Sequence, residues 1–343
     1  MLDTFRALGY VVRPITGTRE ERKALYDLAK KDLEKGEEFD YVYVESLSRP
    51  SNSRIDERYA LKRLVRENLD FDFISFCERK NLRIGYFLRD LYWDFKDHFA
   101  DEPLIKGLYL RLALKKYGKE ELKFLRSRNI QVFCPTPLFA DYLKSKWKVD
   151  AYPLPPGSDV VNSEKRTLET DSLEVFYVGG VSGLYNPKVF LDGFIQSESA
   201  HLTLCTRDSE KAKVSEYQKE GKVTLVSGSG KELQKFYRKA HIAVHPIPPF
   251  SYARLAHGVK FSEYIANGLP IIAFKGTHMA QFIEENQIGW TIPYQPSAVP
   301  KLISQIIENQ PEYEKLQKNV LSMQVDLRWE KVVEKLEKKL LNK

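Results

Sequence analysis

HGVKFSEYIANGLPIIAF, residues 257–274, sets out a glycine, a short helix, a glycine–proline stop and a buried β-branched strand. Lys260 falls in the first turn of that helix, where the macrodipole favours anions and opposes a cation by a few tenths of a kcal/mol. Glu263, three residues on, faces the same way. Gly268 ends the helix, Pro270 blocks its continuation, and Ile271 to Phe274 reads as an interior strand. A lysine at an already positive helix end makes sense if an anion binds there, because free backbone N–H groups and the cation converge on it. Phosphate is the obvious candidate.

Outward from this segment the chain alternates. Upstream come strand 174–178, helix 187–196, strand 201–205, helix 211–219, strand 223–226, helix 231–239 and strand 242–245. The first half repeats the alternation: helix 2–8, a strand-like run 10–15, helix 18–35 capped by Thr18, and strands 41–44, 84–88 and 130–133. Strands separated by helices argue for βαβ units and parallel sheets. Between them, the stiff run YPLPPG (152–157) and a polar stretch to Ser172 read as an interdomain linker. The expectation is α/β, with two Rossmann-like doubly wound domains facing a cleft, at 1–160 and 170–325, and a closing helical segment at 326–343. Such sheets bind ligands beyond the carboxyl ends of their strands.

The 343 residues are 43% hydrophobic and 29% charged, which suits globular domains and excludes a disordered chain. No apolar run approaches the roughly 18 residues of a membrane span, and the N-terminus lacks the order of a signal peptide. Cys77, Cys134 and Cys205 lack metal-ligand spacing, so neither a disulfide framework nor a metal site is expected. A cytoplasmic protein is the default. The net charge of +7 suggests an anionic partner; nucleic-acid recognition motifs are missing, leaving phosphorylated ligands and membrane surface.

Four loops follow strands of the second half at one sheet edge. Gly179-Gly180-Val181-Ser182-Gly183 precedes a helix marked by Asn186 and Pro187, and its glycines let backbone N–H groups approach a diphosphate. Its spacing fits neither a Walker loop nor a dinucleotide fingerprint; taken by itself it equally suits a tight βα turn. Thr206-Arg207 and Ser227-Gly228-Ser229-Gly230 follow the next two strands, and Gly258 with Lys260 opens the quoted helix. Tyr185, Tyr252 and Arg254 are candidates to stack on a base or sugar. His241 and His245 flank a strand and read as structural. Glu263 is either a ligand contact or simply the ion-pair partner of Lys260.

The pieces FYVGGVSGLYN, VTLVSGSGKELQKFYRKAHIAVHPIPP, GVKFSEYIANGLPIIA and FIEENQIGWTIPY occur in that order. Over residues 174–295 they resemble the retaining GT-B glycosyltransferases of the family-four type, whose donor sits in the C-terminal domain. The resemblance implies that Glu263 holds ribose hydroxyls of a nucleotide-sugar. Lys260, Gly179 and Gly180 hold its diphosphate, and the backbone at Val226-Ser227 meets the base. Gly258, Ser182, Tyr185, Arg207 and Arg254 complete the donor side. It implies front-face transfer with no metal and no cofactor, a donor of UDP or GDP type, and a last helix that crosses back onto the first domain. Three departures stand out. Leu255 replaces a usual glutamate, Gly180 replaces a usual arginine, and no opening strand or glycine loop precedes Leu2, so the first strand of the fold is expected to be missing.

In the first half, Arg89, Asp90 and Trp93 of YFLRDLYWDF follow a strand and are candidates to orient an acceptor, with Asp90 alongside Lys260 and Glu263 as the catalytic set; His98 is a further candidate. The other reading is a strand-end salt bridge with core aromatics. Residues 104–128 mix apolar, aromatic and basic residues at helical spacing, which suits either packing on their own domain or peripheral contact with the inner membrane face. The leading expectation is a hexosyltransferase acting on a glycan, glycoprotein or lipid-linked acceptor. The alternatives are a phosphorylase, whose cofactor-lysine motif is not present, a sugar-nucleotide epimerase, and a catalytically silent partner that stabilises another transferase.

Overall fold

The computed structural model describes residues 1–47, 49–56, 63–96, 104–159, 164–168 and 172–341. The chain forms two units, Met1–Pro155 with Glu330–Lys343, and Pro156–Trp329.

The first unit contains α1 (Leu2–Ala7), α2 (Arg19–Glu34), β1 (Tyr41–Glu45), β2 (Ser53–Asp56), β3 (Arg63–Arg66), α3 (Leu69–Arg79), β4 (Arg83–Phe87), α4 (Leu104–Arg126), β5 (Gln131–Cys134), α5 (Pro137–Tyr142) and β6 (Ala151–Pro153). Its sheet is parallel in the order β1-β4-β5-β6, and β2 and β3 form a separate antiparallel hairpin. The strand expected at 10–15 does not form. Pro14 offers no N–H to a ladder, Val11 is 93% exposed, and Arg13 instead pairs with Asp32 and Glu37 beside α2. Interior polar groups tie the unit together. Glu121 of α4 is buried and accepts hydrogen bonds from the Tyr86 hydroxyl (2.6 Å) and the Ser51 N–H (2.9 Å); burial pushes its carboxyl pKa up.

The second unit contains β7 (Leu173–Val178), α6 (Lys188–Phe194), β8 (Ala200–Cys205), α7 (Asp208–Lys211), β9 (Val223–Val226), α8 (Gln234–Lys239), β10 (Ile242–His245), α9 (Val259–Ala266), β11 (Ile271–Phe274), α10 (His278–Asn286), β12 (Gly289–Ile292), α11 (Ala298–Glu308) and α12 (Gln310–Met323). Its six strands are all parallel in the order β12-β11-β10-β7-β8-β9. From β7 the chain winds through β8 and β9, then returns to the other side of β7 with β10. The carboxyl ends of β7 and β10 therefore flank a topological switch point. Alternate residues of β7 serve the two covered faces: Val175 and Tyr177 pack in one apolar core, Phe176 and Val178 in the other. The last helix, α13 (Trp329–Leu341), buries Val332, Val333, Leu336 and Leu340; from Glu330 on it belongs to the first unit, where the Tyr41 hydroxyl bonds Glu337 at 3.0 Å.

Gly268 ends α9 at φ +69°, a conformation that costs a side-chain-bearing residue about 1 kcal/mol or more. The carbonyls left open there meet Arg166, from the linker. Its guanidinium donates to the Asn267 carbonyl (2.9 Å), the Gly268 carbonyl (3.3 Å) and the Tyr237 carbonyl in α8 (3.2 Å). One cation thus caps α9, where the dipole favours it, and ties it to α8. Arg166→Ala should leave these carbonyls unpaired and cost about 2–3 kcal/mol. A calorimetric scan should show the second unit melting several degrees lower; an unchanged transition contradicts the capping role.

Candidate functional site

The carboxyl edge of the second sheet gathers the loops expected there. β7 ends at Val178, next to β10 across the switch point. The ladder between the two strands stops at Phe176 and Ala243, leaving the Val178 backbone without a strand partner on that side. Tyr264 of α9 fills the gap: its buried hydroxyl accepts the Val178 N–H at 3.0 Å and lies 3.4 Å from the Val178 carbonyl. That bond seats α9 against the glycine loop.

The loop itself is shaped by Tyr177. Its hydroxyl folds back to donate to the Gly180 carbonyl at 2.5 Å. A Cβ on Gly179 would lie 2.5 Å from the Tyr177 hydroxyl oxygen, so a larger residue there would displace the tyrosine from its bond. The Gly179 N–H donates to the Cys205 carbonyl at 3.1 Å, fastening the loop to the end of β8. Beyond it, Ser182 donates to Glu210 at 3.0 Å, and the Thr206 hydroxyl lies 3.4 Å from the other oxygen of the same carboxylate. Ser227, after β9, sits 2.8 Å from the Thr206 carbonyl and 2.7 Å from Asp208. The loops after β7, β8 and β9 are thus stitched into one rim.

Helix α9 opens onto this edge with no capping side chain and no acidic residue in its first turn. Its first N–H groups and the lysine are therefore the positive features at its mouth. Gly258 precedes it, and a Cβ there would lie 2.7 Å from the His245 ring, so the helix start rests directly on β10. Lys260 and Glu263 form a two-point ion pair, Nζ lying 2.8 and 2.9 Å from the two carboxylate oxygens. Both are part-exposed, 39% and 30%. Tyr237 donates to Glu263 Oε2 at 2.7 Å. Arg207 is exposed and Tyr185 is 44% exposed, both on the rim. Tyr252 is buried, 1% exposed, and Leu255 is buried too.

Three histidines lie under the mouth. His257 reaches the Ser262 hydroxyl at 3.0 Å, and that hydroxyl donates to the Pro156 carbonyl at 3.0 Å, so the imidazole is the donor. His257 and His278 rings are 6.5 Å apart. Burial lowers the pKa of His245 to about 4 and that of His257 to about 3, the neighbouring histidines adding to the latter.

In the first unit, the Arg89 guanidinium pairs with Glu45 at 3.0 Å and the Arg89 N–H donates to Ser46 at 3.0 Å, both at the ends of β1 and β4. Asp90 is half-buried beside them. Trp93 does not line this edge. It is 2% exposed, lies on Gly118 of α4, and meets Trp147 edge-on at 5.5 Å, so it packs the core. Asp94 after it is also structural, accepting from Tyr142 (2.8 Å) and Trp147 (2.9 Å) and pairing with Lys146. His98 lies outside the described residues. Among the described residues, no three His, Cys, Asp or Glu side chains cluster as metal ligands.

The chain superposes on solved glycosyltransferases along almost its whole length. Sucrose-phosphate synthase from Thermosynechococcus elongatus is 16% identical with a TM-score of 0.62, over 96% of this chain and 82% of that one. WaaG, a glycosyltransferase of lipopolysaccharide biosynthesis, is 14% identical at 0.62 over 97% and 98%. The fold is GT-B. HepE from Anabaena, solved with UDP-glucose, has the same GT-B fold at 10% identity and 0.62, over 100% and 89%. Residues 249–339 match the model of the glucosyltransferase 3-like C-terminal domain. No curated protein matches the sequence.

Sequence reasoning missed Tyr237, Tyr264, Glu210 and the role of Tyr177. Only the position of Tyr264 four residues after Lys260, on the inward face of the same helix, hinted at any of them. A consequence of the histidine cluster is testable. The unfolded chain takes up protons near pH 6.5, where folded His245 and His257 stay neutral. Stability is therefore full above pH 6.5 and drains as the pH falls, by on the order of 1 kcal/mol per histidine per pH unit. Urea unfolding between pH 7 and pH 5 should show this loss, and His257→Gln should reduce its slope. Equal slopes in the two proteins contradict it.

Proposed function

We propose that this protein is a glycosyltransferase that moves a hexosyl group from a nucleotide-sugar to a glycan, glycoprotein or lipid-linked acceptor, with retention and without a metal. The observation that carries it is the uncapped, cation-bearing start of α9 beside the glycine loop and the Ser182–Glu210–Thr206 rim. Backbone N–H groups at a helix N-terminus with a lysine beside them form a site for a diphosphate. In the transfer step the sugar–phosphate bond breaks as the acceptor oxygen attacks, and negative charge gathers on the leaving diphosphate. Fixed N–H dipoles and Lys260 stabilise that charge at little reorganisation cost. The donor side comprises Gly179, Gly180, Ser182, Tyr185, Arg207, Val226, Ser227, Arg254, Gly258, Lys260 and Glu263. The GT-B fold, the glucosyltransferase match over 249–339, and the UDP-glucose bound to HepE support this reading, with UDP or GDP as the carrier. Arg89 and Asp90 are the acceptor-side proposals, and Asp90 the candidate to take the acceptor proton.

Lys260 is paired with Glu263, so a diphosphate at the start of α9 competes with that carboxylate for the lysine. Nucleoside diphosphates should raise the melting temperature of the full-length protein, and Lys260→Ala should abolish most of the shift. No shift with any nucleotide removes the donor-site reading. Binding with no sugar transferred to any acceptor or water favours the silent partner instead.

Peripheral attachment to a membrane belongs to the same reading. Among the described residues no helix is long and apolar enough to cross a membrane. The first half of α4, however, exposes Ile105 (85%), Leu108, Tyr109 and Leu112 (61%) on one face. Residues 104–119 carry Lys106, Arg111, Lys115, Lys116 and Lys119 and no acid. An apolar stripe flanked by cations suits an anionic bilayer surface. Co-sedimentation with phosphatidylglycerol vesicles should be strong and should fall severalfold with Ile105→Glu/Leu112→Glu. Equal binding by both proteins contradicts attachment through α4.

A further inference from the structure

We propose that Tyr237 is a positioning residue of the donor site, which holds back one oxygen of Glu263 so that the other meets the vicinal hydroxyls of the nucleotide's ribose. The proposal rests on the donor-site reading above. Tyr237 is 1% exposed and is clamped on every side. Its ring stands edge-on to Phe176 of β7 at 5.0 Å and to Tyr264 of α9 at 6.3 Å. Its backbone carbonyl accepts from Arg166, whose guanidinium also holds the Asn267 and Gly268 carbonyls at the end of α9. Neither the ring nor the helix that carries it is free to swing relative to α9. The hydroxyl can therefore act as a fixed donor to Glu263 Oε2, at 2.7 Å. Burial raises its pKa well above the ordinary tyrosine value, so it keeps its proton at working pH.

In the structure Lys260 Nζ lies on both oxygens of the carboxylate and Tyr237 on Oε2. A diphosphate at the start of α9 competes for Lys260. Once the lysine turns to it, Tyr237 remains on Oε2 and Oε1 is left with open lone pairs. A carboxylate oxygen in that state accepts from a hydroxyl of a vicinal diol, and a charge-assisted bond of this kind is among the stronger ones. Without Tyr237 the carboxylate, once the lysine has left it, can rotate about its last torsion, and neither oxygen is held toward the diol. The residue thus sets the orientation of the carboxylate and not the release of the lysine, and only ligands that carry the diol should sense it.

The test is equilibrium binding to the full-length protein, wild type, Tyr237→Phe, Glu263→Gln and the double variant, using UDP, GDP, their 2′,3′-dideoxy analogues and inorganic pyrophosphate. Tyr237→Phe should weaken the ribose-bearing nucleotides about tenfold, which corresponds to a difference of about 1.4 kcal/mol, and should change the dideoxy analogues and pyrophosphate less than twofold. In the Glu263→Gln background, Tyr237→Phe should have no further effect. Equal loss for both ligand classes in a Tyr237→Phe protein with wild-type circular dichroism assigns Tyr237 a purely structural role and overturns the proposal, as does unchanged affinity for UDP and GDP. A Tyr237→Phe protein that fails to fold loses every ligand alike. The ratio of UDP to dideoxy-UDP affinity in Glu263→Gln then decides, and an unchanged ratio there overturns it. If wild-type protein binds no nucleoside diphosphate, the donor-site reading fails and takes this proposal with it.

Discussion

The contact between the Tyr264 hydroxyl and the backbone of Val178 governs the geometry of everything at the carboxyl edge of the second sheet. A doubly wound sheet must part its strands where the winding reverses, and at that point the last residue of β7 loses its ladder partner. An unpaired backbone group in a buried position costs on the order of 1–3 kcal/mol, so something has to take it. Here the group that takes it comes from α9, so satisfying the strand also fixes the helix. The start of α9 is in consequence held beside the glycine loop, and the anion-attracting end of the helix faces the loops after β7, β8 and β9.

Much of the remaining structure guards that placement. Arg166 binds the trailing carbonyls of α9 and one carbonyl of α8, so the far end of the helix is as constrained as the near one. Gly258 sits flat on His245, and Tyr177 bends back under Gly179 to reach the Gly180 carbonyl. Each is a close approach that a larger residue would spoil. The histidines below the mouth stay neutral because burial leaves no water to solvate a charge, and so add no positive field of their own. The result is an edge held from several sides, on which Lys260 and Glu263 neutralise each other.

The second unit was legible to the extent that its signals were local. Strand runs such as Val223–Val226 and Ile271–Phe274, the Gly268-Leu269-Pro270 stop, and the lysine at the wrong end of a helix depend on neighbours a few residues away. Helix lengths were less legible. The run 211–219 holds only the end of the single turn α7 and a 3₁₀ turn at 215–217, because Val214 and Tyr217 are its only buried side chains and do not make a stripe long enough to seat a helix. In the first half, Tyr10–Ile15 has the composition of a strand, yet Pro14 and the pull of Asp32 and Glu37 on Arg13 keep it out of the sheet. Trp93 looked like an edge aromatic because it follows a strand closely. Its burial is decided by Gly118, 25 residues on, and no local pattern announces that. Tyr237 and Arg166 escaped notice for the same reason: their partners, Glu263 and the α9 carbonyls, are distant in sequence.

The central claim is that four separate loops of the second unit form one site for a nucleoside diphosphate. Hydrogen–deuterium exchange with and without saturating UDP or GDP addresses it directly, since bound phosphate oxygens should slow the amides they engage. The account predicts protection concentrated in residues 179–185, 206–210, 226–230 and 258–263, with the rest of the second unit unchanged. Protection that spares the glycine loop and the start of α9, or that centres on another part of the unit, would contradict it.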